Sequence, residues 1–303
     1  MIEVGLIVAR FLHYAAAMAL FGVSLFPLYA YSGRTEPEPV SLSLWLRPVQ
    51  FGVALAALIS AALWLAFVAA NMTGSLSGAV DPEALRSVLS DTLFGQVWAA
   101  RLMLAVGVAG LTAFSFFSSN KHLPAGLNLV LSGALLATLA GTGHTMHSEG
   151  MARGLHIAAD GAHLLAAGAW FGGLFALGYV LAGRTPVATA VLHRFSGMGY
   201  VAVAVLVGSG LINSWYLVGS ISNLLASPYG RLLLVKLGLF SGMLLLAAAN
   251  RFWLMPALAR DPSPDHIAAE RLRLHVIGEQ TLGVLVITIV SLLGTLEPAV
   301  GHP

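Results

Sequence analysis

The sequence has 303 residues, of which 58% are hydrophobic and only 9% charged, with a mean hydropathy of +0.85. Soluble domains carry about 25% charged residues, so this composition excludes both a soluble globular protein and a disordered chain. The formal net charge is only +2, and the Lys and Arg residues are scattered over loops and helix ends, so nucleic acid is not an expected partner. Because cysteine is absent, disulfides, iron–sulfur clusters and thiolate metal sites are excluded as well.

Long apolar runs predict an all-α, polytopic membrane protein that lies in lipid as a single transmembrane domain over residues 1–303. Each run is long enough to cross a hydrocarbon core about 30 Å thick. Between the second and third runs, Asp81-Pro82-Glu83 predicts the start of a short surface helix. The eight predicted spans cover residues 4–31, 48–70, 94–117, 124–143, 155–182, 195–218, 230–253 and 274–296.

The basic residues predict how the spans are oriented. Eight basic residues lie in the first, third, fifth and seventh loops: Arg34, Arg47, Lys121, Arg184, Arg194, Arg260, Arg271 and Arg273. The loops on the other side of the membrane hold only Arg86, Arg153 and, at a helix edge, Arg231. The positive-inside rule therefore places both termini and the 144–154 loop outside the cytoplasm.

An internal duplication is indicated by matches that recur in the same order along the chain. Residues 13–22 and 163–172 agree at six of ten positions, including His13 with His163 and Gly22 with Gly172. We therefore predict two half-repeats, about 1–150 and 151–303, each with four helices and both in the same orientation. Further candidate pairs of equivalent residues are Arg101 with Lys236 and His144 with Glu297.

The fifth span carries the densest polar pattern. His156, Asp160 and His163 stand at positions i, i+4 and i+7, so they share one face of the helix. Ionisable groups inside a membrane are costly and usually line a site or a pathway. In the same span, Gly168 and Gly172 form a small-residue face for close helix packing, and Gly238 with Gly242 form another in the seventh span.

The loop before the fifth span combines imidazole and thioether groups, which suit copper, and Cu(I) in particular. It therefore predicts a metal-collecting segment at the outer surface. The candidate ligands of this loop are His144, Met146, His147 and Met151.

Cationic residues in the outer half of the membrane complicate a simple cation pathway. Arg10, Arg101 and Lys236 could neutralise carboxylates such as Asp160 and Glu297, snorkel to the surface, or hold an anionic group. All of these alternatives stay open at the level of sequence.

The chain resembles the CopD/PcoD family of bacterial copper-resistance inner-membrane proteins over nearly its whole length. The residues that carry the resemblance run from His156 to Leu174 (H-x3-D-x2-H-L-L-A-A-G-A-W-F-G-G-L), with matching segments at residues 10–14, 194–196, 229–237 and 293–298. The resemblance implies copper handling at the bacterial inner membrane, beside a periplasmic CopC-like protein. By motif match it implies roles for His13, His144, His156, Asp160 and His163.

Two functions follow as alternatives, and neither is an enzyme. The first is copper uptake from the periplasm, with Cu(I) held between His13 and His163 at one depth. The second is a redox protein in which the same two histidines ligate haem b and Arg101 and Lys236 meet its propionates. A metal sensor or a partner-docking scaffold is a further alternative, and a scaffold would bind neither copper nor haem.

Overall fold

The computed structural model describes residues 1–32, 37–118, 125–142, 150–183, 187–260 and 267–301, and within these ranges it is helical without strands. Short 3₁₀ turns follow α2, α5 and α11, and a π-helical turn, Asn250–Leu254, joins α9 to α10. The α-helices are α1 (Ile2–Ala30), α2 (Val40–Thr73), α3 (Pro82–Asp91), α4 (Leu93–Phe117), α5 (Ala125–Ala137), α6 (Gly150–Ala182), α7 (Thr189–Leu217), α8 (Ile221–Ala226), α9 (Pro228–Ala249), α10 (Met255–Arg260) and α11 (Ile267–Leu293).

The helix lengths confirm an all-α polytopic membrane fold. In the described part of the chain, seven helices are long and apolar enough to cross a membrane. The predicted fourth span is represented by a shorter apolar helix, Ala125–Ala140, so the count of eight spans remains a prediction.

Helix boundaries follow local chemistry where the sequence carries a cap. Asp81 accepts a hydrogen bond from the Glu83 backbone nitrogen at 3.1 Å and caps α3, as predicted. The second span was predicted to begin at Pro48, but α2 begins at Val40 and Pro48 lies inside it. The prediction was wrong because proline is favoured at helix starts, whereas this helix accommodates it in its interior.

The two halves meet where α1 crosses α6. A Cβ atom on Gly22 would lie 2.3 Å from the Gly168 carbonyl oxygen and 2.5 Å from the Gly172 Cα atom, so these backbones touch. Gly22 and Gly172 are predicted equivalents, and equivalent residues contact each other where they lie close to a two-fold axis. Gly238, which was predicted to form a similar small-residue face, makes no such close contact, because no atom of the described chain lies within 4 Å of a Cβ built there.

Local details also recur between the halves. Thr92 caps α4 by accepting from the Gly95 nitrogen at 2.9 Å, and Ser227 caps α9 by accepting from the Gly230 nitrogen at 2.9 Å. Both glycines lie directly against the preceding short helical segment, where a Cβ atom would meet backbone. These matches support the duplication, which remains an interpretation.

The halves differ in one respect that decides where a ligand fits. In the first half α2 packs against α4, and the rings of Trp64 and Trp98 meet there with centroids 4.8 Å apart. In the second half the corresponding helices, α7 and α9, face each other across a cavity. We call the end of the bundle at which α1 begins the outer end.

Candidate functional site

A cavity of about 570 Å³ lies between α1, α6, α7, α9 and α11. One stripe of α6 lines it, with His156, Asp160, His163, Ala167 and Trp170 at i, i+4, i+7, i+11 and i+14. At 1.5 Å per residue this stripe extends about 21 Å from His156 near the outer end to Trp170. The predicted face of the fifth span is therefore the wall of a cavity.

His163 presents one ring nitrogen to the cavity. The Ser209 hydroxyl donates to the Val205 carbonyl at 2.5 Å, so it accepts from His163 Nδ1–H at 2.9 Å. Neutral imidazole then carries a lone pair on Nε2, and no described side chain hydrogen-bonds this atom. Metal-binding histidines characteristically donate the second ring N–H to a protein acceptor, and His163 has that arrangement.

His156 stands two turns further out. Its ring is buried at 2% exposure and stacks on Tyr216, with centroids 4.6 Å apart and 11° between the planes. Its Nδ1 atom is buried and has no hydrogen-bond partner among the described residues. An imidazole nitrogen in this state is a candidate ligand atom, because a buried polar group without a partner is costly.

Asp160 lies between the two histidines. Its Oδ1 atom accepts from Asn213 Nδ2 at 3.1 Å, and Lys236 of α9, which lines the same cavity, interacts with it electrostatically. This interaction favours the alternative, drawn from sequence, in which Lys236 neutralises Asp160. The Asn213 Oδ1 atom is buried without a partner in the described chain.

Softer groups line the cavity beyond His163. The thioether side chains of Met18 and Met243 reach it from α1 and α9, and both are almost fully buried. Thioethers favour Cu(I). Arg10 lies at the outer part of the cavity, with its guanidinium 5.4 Å from the centre of the Trp64 ring.

His13 does not share this cavity, which corrects the prediction that it faces His163. Its Nδ1 atom contacts the Ala57 carbonyl at 3.0 Å and Ser60 Oγ at 3.1 Å, and its Nε2 atom accepts from Arg101. Both ring nitrogens are therefore engaged within the first half. The reason is helical phase, because nine residues, or about 2.5 turns, separate each histidine from the glycine crossing and turn it away from the other half.

Arg101 is a structural residue of the first half. It is fully buried, so it does not snorkel, and its Nη1 atom donates to the Leu135 carbonyl and to Thr138 Oγ1 at 2.7 Å each. Because both ring nitrogens of His13 are engaged and His13 does not line the cavity, the pair of histidines required for haem ligation is not brought together.

The remaining predicted residues lie toward the outer end. Met151 lies in the first turn of α6 and is 93% exposed, and Glu297 is exposed beyond the end of α11. His144, Met146 and His147 lie outside the described residues.

The cavity does not hold a preassembled polydentate centre. Within the described ranges, no group of three His, Cys, Asp or Glu side chains is close enough to hold a metal ion. Single imidazoles and thioethers, such as those spaced along this wall, are ligands that suit Cu(I).

Sequence reasoning missed part of the lining. Met18, Met243 and Asn213 line the cavity, but none of the three belongs to the site residues predicted from sequence. An alignment of the two half-repeats on Ser60 and Ser209, which contact the paired histidines His13 and His163, could have indicated this lining. Four residues after each serine, this alignment sets Trp64 against Asn213. The bulky indole of Trp64 in the first half-repeat is thus replaced by the smaller polar amide of Asn213 in the second, which lines the cavity.

Comparisons with known proteins agree over nearly the whole chain. Residues 1–155 match the family described as copper resistance protein D-like, N-terminal domain, and residues 189–293 match copper resistance protein D. Copper resistance protein D of Pseudomonas syringae pv. tomato is 35% identical over 305 residues, with 96% of each chain covered.

Two further relatives are similarly distant. The inner membrane protein YebZ of Escherichia coli K12 is 31% identical over 299 residues, covering 96% of this chain and 98% of that protein. The copper transport protein CutJ of Bacillus subtilis 168 is 33% identical over 250 residues, covering 80% of this chain and 45% of CutJ. No solved structure matches the chain.

Proposed function

The chain belongs to the copper resistance protein D family and is a copper-handling protein of the inner membrane, and on this premise we propose that it carries Cu(I) inward through the cavity. The observation that supports this most is His163, whose Nδ1–H is fixed by Ser209 while Nε2 stays available in the cavity. The copper transport protein CutJ is a relative whose name describes the same kind of cargo.

The proposed route starts at the outer end. Copper is collected by His144, Met146, His147 and Met151, and a periplasmic protein of the CopC type is the proposed donor. It then passes His156 and Asp160 and is held by His163 together with a thioether of Met18 or Met243. A copper-loaded CopC-type protein should accordingly speed uptake in the assay below, relative to the same amount of free Cu(I).

The charge of the cavity favours a monovalent cargo. Asp160 is balanced by Lys236, and Arg10 adds a positive charge at the outer part of the cavity, so no net negative charge is left for a divalent ion. Soft neutral ligands bind Cu(I) without needing that charge. Transport should therefore depend on a reductant that keeps copper as Cu(I).

The test is uptake into liposomes that contain the purified full chain and a trapped, impermeant dye for Cu(I). The unmodified chain should load the dye, and His163→Ala should slow loading about tenfold or more, the range typical of lost ligands and their supports. His193→Ala is the matched control, because that histidine is exposed and contacts Arg251 away from the cavity. Equal uptake by His163→Ala and the unmodified chain would overturn the proposal.

The inward direction requires both termini to lie in the periplasm. Basic residues concentrate in the loops that this orientation places inside. Alkaline phosphatase fused to the C-terminus should be active in cells, since it folds only outside the cytoplasm. An inactive fusion, with a fluorescent cytoplasmic reporter at the same position, would reverse the orientation.

A further inference from the structure

A second polar cluster lies beyond the far end of the cavity. Glu279 of α11 is buried at 2% exposure, and its carboxylate accepts from Trp170 Nε1 at 3.1 Å and from Asn250 Nδ2 at 2.8 Å. An ionisable side chain inside a membrane bundle is costly, and such residues are typically functional. The copper route above does not use this carboxylate.

The cluster connects the cavity to the inner end of the bundle. Trp170 is the last polar member of the α6 stripe that lines the cavity. On the other side, Asn250 Oδ1 contacts His275 Nδ1 at 2.7 Å, and His275 is partly exposed. A continuous chain of hydrogen bonds therefore joins Trp170, Glu279, Asn250 and His275.

The backbone departs from the α-helix at this cluster. Asn250 is the first residue of the π-helical turn Asn250–Leu254, which interrupts the long apolar helix Pro228–Arg260. Single π turns inside α-helices occur frequently at functional sites. Here the turn begins at the residue that bridges Glu279 and His275.

No cation compensates Glu279 among the described residues. From the packed elements, α6 presents Trp170 and the π turn presents Asn250, both neutral donors, and no charged group acts on the carboxylate from α1, α9 or α10. Arg251 contacts His193 of α7, and Arg273 of α11 donates to the Leu181 carbonyl. His275 is therefore the titratable group to which the carboxylate is linked.

We propose that Glu279 is a proton-binding site whose proton is released toward the inner end when Cu(I) enters the cavity. This inference rests on the proposed function, because it takes Cu(I) as the cation that displaces the proton. A positive ion above Trp170 favours the ionised carboxylate beneath it, and an empty cavity favours the neutral acid.

The hydrogen-bond inventory fixes where the proton sits. Trp170 can only donate, so the proton must lie on Oε1, facing Asn250. In this protonated state the Asn250 amide is turned, so that Oδ1 accepts from Glu279 and Nδ2 donates to His275 Nδ1. The single ring proton of His275 then lies on Nε2. When Glu279 is ionised, the net change is the loss of one proton to solvent at the inner end, and the single ring proton of His275 lies on Nδ1 instead of Nε2.

The same step alters the cavity wall. The bond from Trp170 to an ionised carboxylate is charge-assisted and is weakened by protonation. Trp170 is therefore held more firmly when copper is present, which ties the proton on Glu279 to the end of the copper route.

The experiment measures proton release when the purified full chain binds Cu(I), supplied as its acetonitrile complex in weakly buffered detergent with a pH-indicator dye. Copper-binding imidazoles also lose protons, and they do so equally in the unmodified chain and in Glu279→Gln. Glu279→Gln should therefore bind the same copper and release up to one proton fewer per copper than the unmodified chain. Glu270→Gln, on the exposed face of the same helix, is the matched control and should behave as the unmodified chain.

The outcomes separate the two proposals. No copper binding by the unmodified chain would overturn the proposed function. Copper binding with equal proton release by the unmodified chain and by Glu279→Gln would overturn the role of Glu279 alone. If Glu279→Gln does not fold, the infrared band of a protonated carboxyl group in the unmodified chain decides, since it should disappear when copper binds.

Discussion

Two histidines that each contact a serine differ in the surroundings of their second ring nitrogen. His13 and His163 each contact a serine of the following long helix, Ser60 at 3.1 Å and Ser209 at 2.9 Å. His13 also accepts from Arg101, which fixes its proton on Nδ1 because a guanidinium can only donate. The third partner therefore makes His13 part of the scaffold and leaves His163 available to a ligand.

This contrast predicts different effects on stability. His13→Ala should lower the free energy of unfolding by about 1.5–3 kcal/mol, because the buried Arg101 guanidinium loses an acceptor. His163→Ala should change it by less than about 1 kcal/mol, since its Nε2 atom faces a cavity. Thermal unfolding of both variants in the same detergent measures the difference, and an equal loss for the two would show that His13 has no special structural role.

At the scale of elements, sequence predicted helices well where local chemistry marks them. Asp81 and Pro82 identified α3, and apolar runs identified the long spans. The π turn at Asn250 could not be predicted, because it depends on how the helix meets its neighbours rather than on local propensity. The direction in which His13 points could have been predicted. His13 and Gly22 are nine residues, or about 2.5 turns, apart, so they lie on opposite faces of α1.

The crossing of α1 and α6 is the contact most sensitive to side-chain size. Gly22→Ala would place a Cβ atom against the backbone of α6, so we expect a loss of about 1–3 kcal/mol as the helices separate. Gly238→Ala is the control, because its Cβ meets no described atom within 4 Å and alanine favours the helix by about 1 kcal/mol. Unfolding midpoints that fall for Gly22→Ala and rise slightly for Gly238→Ala would agree, whereas a neutral Gly22→Ala would mean that the crossing is not tightly packed.

If the chain is divided into its two predicted half-repeats, the cavity lies on the side of the second, between α6, α7, α9 and α11. Trp64, Trp98 and Arg101 occupy the first half around His13, whereas Asn213, Leu233 and Lys236 stand at the aligned positions and line the cavity around His163. The sequence alone predicted that His13 and His163 contribute equally to one site, because the motifs around the two histidines match. The arrangement predicts one intramembrane copper site per chain rather than a shared or a second site.

The most direct test of this account is the copper content of the purified chain after loading with Cu(I) under reducing conditions and removal of loosely held metal. The account predicts about one copper per chain in the unmodified protein and in a folded His13 variant such as His13→Gln, and none retained in His163→Ala. Copper retained by His163→Ala, or lost only when His13 is changed, would contradict it.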